Sequence, residues 1–344
     1  MCASTYTRQM RKTTLLDKTK RWLLRFLQVQ LFITAVSFPI LASWGLPISL
    51  VSPLGNLIFF PILFLFLLFS SFIFFLELIH LPNGFLIFCL EKLTDAWSAV
   101  LSLGNGTGFL IGFRQPPKLL LLAIPCCAFF IISNRYTKQT MRSIVLLTVL
   151  LFATFGYLKL FWPPEPCIKQ IECNGGTVVV AQSNGETVVI DPGVIGRKPS
   201  ATSWVQYTLA PDITTTTGKH AIDYLILLQP GVRTFNAAET LCKTMSIGTI
   251  FIVEWEGSLK KNGWRSYFHL KRAAQQNGTQ IARVGRKKLK LVLGKEDHVT
   301  IKPLQDRLHY HDATYPALHV TGQIDNKSFH LYAAGYKGER QKIV

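Results

Sequence analysis

Residues 22–161 are long runs of Leu, Phe and Ile broken by few charges. That pattern restricts the first half of the chain to apolar helices crossing or lining a bilayer. A crossing helix needs about 20 mainly apolar residues, because lipid offers the backbone no hydrogen-bond partner. Residues 22–44, 58–78, 118–133 and 143–161 meet the requirement on composition. A fifth stretch, 84–103, carries Glu91, Lys92 and Asp95. Charges inside a span cost a few kcal/mol each unless they face a partner or water.

After residue 161 the sequence turns polar and rich in Gly turns. The seam Trp162-Pro163-Pro164-Glu165-Pro166 breaks helices, so the expected boundary lies there. The net charge of +18 divides into 14 basic against 4 acidic residues before the seam and 23 against 15 after it. Lys and Arg stay on the cytoplasmic side of membrane proteins. The basic tail 1–21 and the loop holding Arg135, Lys138 and Arg142 are then both inside, which requires five crossings. Residues 162–344 follow on the outer side of a cytoplasmic (inner) membrane. The tail leads into its apolar run with no small-residue cleavage site, so the first segment is expected to be retained.

Residues 45–61 are apolar yet hold Pro47, Pro53, Gly55, Asn56 and Pro61. Two readings stay open: an ordinary loop, or a broken or re-entrant segment covered by protein or water. Of the seven cysteines, Cys89, Cys126 and Cys127 read as small buried hydrophobes. Cys167 and Cys173 are close enough in sequence to suggest a pair on an oxidising side.

In the second half, Asn184-Gly185 between two Val-rich runs predicts a hairpin. Residues 224–228 read as a buried strand, and Ala237, Ala238, Leu241 and Met245 as the apolar stripe of a following helix. Arg265, Lys271 and Arg272 on a helix at 264–277 are candidate polyanion contacts. So are Arg283, Arg286, Lys287, Lys288 and Lys290; a solvated basic face explains the same residues equally simply. Trp264, Tyr267 and Phe268 are the aromatics nearby. His309, His311 and Asp312 form the one tight cluster of metal-ligand types. Nucleophile-elbow, P-loop and dinucleotide patterns are missing from the sequence.

Pro39, Ser49, Ser52, Asn56, Leu57 and Pro61 follow one another in the order Pro, Ser-rich piece, Asn-Leu, Pro. That order resembles the last part of the competence membrane domain of the ComEC-type DNA-uptake channels. The hairpin ending Ile190-Asp191-x-Gly193 is similar to the opening of that family's metallo-β-lactamase-like domain, with Thr177 where the family usually has Asp. The resemblance implies a multi-pass α-helical membrane domain followed by an α/β domain of αββα sandwich type. It makes Pro39, Ser49, Ser52, Asn56 and Pro61 candidate channel-lining residues. It places Gln229, Gly231, Arg233, Thr234 and Tyr336 where catalytic relatives carry metal ligands.

Zinc is held by imidazole, thiolate or carboxylate. Gln, Gly, Arg and Thr are poor substitutes, so the expectation is a domain without metal, cofactor or catalysis. The implied function is a membrane component of DNA uptake whose partner is single- or double-stranded DNA. Family members carry an amino-terminal half ahead of this part, so three readings stay open: one piece of a split protein whose other half a separate chain supplies, a shortened relative, or a remnant. Two alternatives remain: a non-catalytic membrane scaffold, and a residual hydrolase using His309, His311 and Asp312.

Overall fold

The computed structural model describes residues 15–49, 52–103, 110–133, 140–173, 176–195, 200–285, 287–294, 296–333 and 342–343. The chain forms two compact units. One comprises Met1–Pro39, Ser52–Thr94 and Lys118–Gly156. The other comprises Ile40–Val51, Asp95–Pro117 and Tyr157–Val344.

The first half of the chain supplies five helices: α1 Leu15–Ser43, α2 Ser52–Leu78, α3 Gly84–Leu103, α4 Lys118–Ser133 and α5 Thr140–Leu160. Among the described residues three, α1, α2 and α5, are long and apolar enough to cross a membrane. The 16 residues of α4 span about 24 Å, short of the roughly 30 Å hydrocarbon core. α3 keeps its three charges within 20 residues. α1 begins at Leu15 and so includes Lys18, Lys20 and Arg21 of the basic stretch 1–21. Ala35, Ala128 and Leu147 are fully buried where α1, α4 and α5 meet, small side chains allowing close approach. Large apolar groups such as Phe75, Phe85 and Leu119 stay exposed on the helix surfaces, as lipid-facing residues do. Cys126 and Cys127 are also exposed and Cys89 half-buried, contrary to the expectation of buried thiols.

The expected break at 45–61 is shorter. Among the described residues of this stretch only 45–49 are non-helical. It contains a two-residue strand, β1 Ile48–Ser49, paired antiparallel with β2 Leu110–Ile111. From Ser52 the helix runs on through Asn56 and Pro61. Pro53 falls in its first turn, where no intrahelical N–H bond is lost.

β1 and β2 belong to the second unit, whose last segment begins at Tyr157, ahead of the Trp162 seam. Polar contacts tie these pieces down. Lys159 Nζ donates to the carbonyls of Gly112 (2.9 Å) and Gly218 (3.3 Å). The Gln115 amide donates to Thr215 O (3.1 Å), and Arg114 pairs with Glu165 (2.9 Å).

The body of this unit is two six-stranded sheets. The first orders β3 Cys167–Cys173, β4 Gly176–Ser183, β5 Glu186–Asp191, β6 Ala221–Leu227, β7 Ser246–Val253 and β9 Gln280–Val284; β8 Glu256–Gly257, between β7 and β9 in the chain, belongs to the other sheet. β4 and β5 form the predicted hairpin through Asn184 and Gly185, both at positive φ. β5, β6, β7 and β9 are parallel. The second sheet orders β10 Leu289–Val292, β11 His298–Tyr310, β12 Ala313–Ile324, β13 Lys327–Tyr332 and β14 Lys342–Ile343, with β8 on β12.

Parallel strands need crossovers. These are α6 Ala201–Trp204, which runs through a π turn into α7 Ala210–Thr217, then α8 Val232–Thr244 and α9 Lys261–Gln276. One apolar core lies between this helical layer and the first sheet, around Leu225, Leu241, Ile250 and Leu270. A second lies between the sheets, around Ile190, Ile226, Val320 and Phe329. Among the described residues no helix follows α9, so they give a helix–sheet–sheet arrangement without the fourth layer of an αββα sandwich.

Cys167 and Cys173 sit on the same strand and are not joined to each other by a disulfide. Six residues of strand separate them by about 20 Å. A disulfide requires Cα atoms within about 7 Å, so the expected pairing is corrected.

Candidate nucleic-acid interface and adjoining cleft

α9 buries Gly263, Ser266, Tyr267, Leu270, Ala273 and Ala274 against the first sheet. That leaves Lys261, Arg265, Phe268 and Arg272 exposed at i, i+4, i+7 and i+11, one row about 16 Å long. Phe268 is 58% exposed between cations, against the usual fate of a large apolar side chain. Its ring is 6.0 Å from Trp264, and Trp264 is 6.1 Å from Trp255. Arg283, on the edge strand β9, lies over Trp255 with its guanidinium carbon 5.3 Å from the ring centroid. The result is a continuous line Arg283–Trp255–Trp264–Phe268, bordered by the α9 cations. Trp255 also packs on Phe235 and Tyr267, so the buried core fixes the line from below.

Of the expected polyanion contacts, Arg265, Lys271 and Arg272 come together on α9, and Arg283 joins them through Trp255. Lys287, Lys288 and Lys290 are exposed on the turn before β10 and on β10 itself, which edges the other sheet. They do not extend the row. Arg286 lies outside the described residues. Sequence reasoning missed Trp255, since nothing periodic connects it to Arg283.

The strand that opens the degenerate metal motif is β6, and α8 follows it. Gln229, Gly231, Arg233 and Thr234 line one cleft of about 400 Å³, with Gly193 from the turn after β5 and Tyr310 and His311 from the β11–β12 hairpin. Two glycines let the walls close in. A Cβ on Gly193, which also has φ +103°, would overlap the Gln229 side chain at 2.1 Å. One on Gly231 would sit 3.1 Å from the Tyr310 ring. Asp191 ends β5 beneath this turn, and its Oδ1 accepts from the amides of Gly193 (2.9 Å) and Val194 (2.8 Å).

This lining does not fit a zinc or two-metal centre. It offers one imidazole, no carboxylate or thiolate, and a guanidinium that repels cations. Tyr336 lies outside the described residues. His309 and His311 do not share a strand face. β11 ends at Tyr310, and His311 occupies the hairpin turn at φ 56°. His309 Nδ1 instead contacts Thr314 Oγ1 at 3.1 Å. Among the described residues no three His, Cys, Asp or Glu side chains gather as a metal site.

The channel-lining candidates fall on three elements. Pro39 is buried within α1, Ser49 is on β1, Ser52 begins α2, and Asn56 and exposed Pro61 lie within α2. The side chains of Ser52 and Asn56 are outside the described set.

No known protein-family model matches this chain, and no curated protein sequence matches it either.

Proposed function

We propose that this chain is a membrane-anchored protein whose α/β unit binds single-stranded nucleic acid without cutting it. The observation that carries the reading is the line Arg283–Trp255–Trp264–Phe268 beside Lys261, Arg265 and Arg272. Aromatic faces stack on unpaired bases whatever their sequence, and cations alongside follow the phosphates. The apolar helices supply the membrane anchor.

The resemblance to ComEC-type channels adds the biological setting: uptake of DNA, with five crossings and the α/β unit on the outer side. Two packed sheets, and one cleft gathering Gln229, Gly231, Arg233 and Thr234, support a metallo-β-lactamase-like ancestry for the unit. The donor set of that cleft supports a non-catalytic role.

The test uses the full chain in nanodiscs with fluorescent oligothymidylate. Replacing Phe268 by Ala is expected to weaken binding about tenfold, since one base–aromatic stack contributes about 1–3 kcal/mol. Unchanged affinity for F268A and for an Arg265→Gln, Arg272→Gln double variant would refute the interface. Deleting the gene is expected to abolish uptake of labelled DNA; undiminished uptake would remove the uptake reading.

A further inference from the structure

We propose that the cleft at the start of α8 is an oxyanion site that takes a phosphoryl group, the terminal phosphate of a bound strand. The choice of a strand end rests on the function proposed above; the site itself rests on its own residues. α8 has 13 residues, and its N-cap is Gly231, which supplies no side-chain cap to the amides of the first turn. Its first backbone bond is Phe235 N to Gly231 O at 2.9 Å. Those leading amides and the helix dipole favour an anion at that end.

A second observation points the same way. Thr234 is only 5% exposed, lines the cleft, and its hydroxyl has no hydrogen-bond partner among the described residues. The residue is buried but its oxygen is not sealed in the core, so the hydroxyl is open to the cleft and available to a group bound there. Arg233 is exposed at the mouth and makes no ion pair among the described residues. The half-buried Gln229 amide is likewise without a partner there. No acidic side chain lines the cleft. Arg233, the Thr234 hydroxyl, the Gln229 amide and backbone N–H groups therefore converge on a space large enough for a phosphate and part of its sugar. A cation is repelled by Arg233, and an apolar ligand would leave these donors unmatched.

The cleft adjoins the interface. Val232 lines both this cleft and a groove of about 560 Å³ between α8 and α9 that reaches Arg265 and His269. A strand lying along α9 can thus end with its phosphate at α8.

The experiment uses the full chain in nanodiscs with three probes: 5′-phosphorylated oligothymidylate, the same oligonucleotide with a 5′-hydroxyl, and inorganic phosphate. The phosphorylated strand is expected to bind about tenfold tighter, the scale of charge-assisted hydrogen bonds to one group. Arg233→Gln and Thr234→Val should each collapse that difference, and Arg233→Lys should restore part of it. Inorganic phosphate binding that Arg233→Gln removes, with no gain from a 5′-phosphate, assigns the site to the free ion and overturns the strand-end claim. Strand binding that ignores the 5′-phosphate, with no phosphate binding, overturns the site while leaving the α9 interface standing. Phosphate binding without any strand binding upholds the site and removes the function proposed above.

Discussion

Replacing Lys261, Arg265 and Arg272 together by Gln removes the three cations of the exposed α9 row and leaves Arg283 at the end of the aromatic line. Each single-strand phosphate neutralised contributes about −0.7 to the slope of log K against log salt. Four contacts give a slope of about −2.8, and one gives about −0.7. Raising salt from about 50 to 200 mM should then weaken wild-type binding about 50-fold and the triple variant only about threefold. All three residues are exposed on the outer face of α9, so the changes should leave folding within about 0.5 kcal/mol. Fluorescence anisotropy of labelled oligothymidylate across a salt series measures both slopes, with thermal unfolding as the control. An unchanged slope in a folded variant would refute the reasoning, because the row would not be touching phosphates.

Other predictions rest on the core. Phe235 is fully buried against Trp255 and Tyr267, so Phe235→Ala should cost about 3–5 kcal/mol by denaturant unfolding; a loss under about 1 kcal/mol would contradict that packing. His220 is buried, with Nε2 2.7 Å from Thr244 O, and burial holds its pKa below the ordinary 6.5. Its neutral form is the folded one, so its contribution is complete above pH about 6.5 and is lost as pH falls toward the lowered folded value. His220→Gln should flatten that acid-side loss; identical pH profiles would contradict it. Burial pushes the Cys242 thiol up to about 12, so iodoacetamide near neutral pH should label it only after unfolding, as peptide mass spectrometry would show. Prolonged chelation should leave the unfolding temperature unchanged, and a drop of several degrees would expose a structural metal.

Local chemistry made part of this fold legible. Asn184-Gly185 specified its hairpin, and Ala237, Ala238 and Leu241 are the buried stripe of α8, while Met245, also buried, follows the helix in extended conformation. Another hairpin signal went unread. Asp325 and Asn326, at φ 48° and 61°, join β12 to β13 and set His319 opposite Tyr332 and His330 opposite Thr321. That register stacks the His319 and His330 rings at 5.4 Å, although no linear spacing relates them. β1 and β2 are two residues each and about 60 apart in sequence, too short for any periodic signal. The helix breakers at 45–61 misled because a proline in a first turn and one inside a long apolar helix are both tolerated.

At the candidate interface the cations of α9 were readable as a basic helix. The aromatic line was not, since Trp255 follows β7 and Arg283 lies near the end of β9, and only the parallel pairing of Val253 with Val284 brings them level. The cleft was readable as positions rather than as a cavity. Gln229, Gly231, Arg233 and Thr234 are consecutive in the motif, but Tyr310 and His311 reach them from a hairpin about 80 residues later.

Photocrosslinking of 5-iodouracil-substituted single-stranded DNA to the nanodisc-held chain, followed by peptide mapping, tests the central claim most directly. Adducts are expected on Trp255, Trp264 and Phe268. Adducts confined to other segments, or none at concentrations that saturate binding, would contradict it.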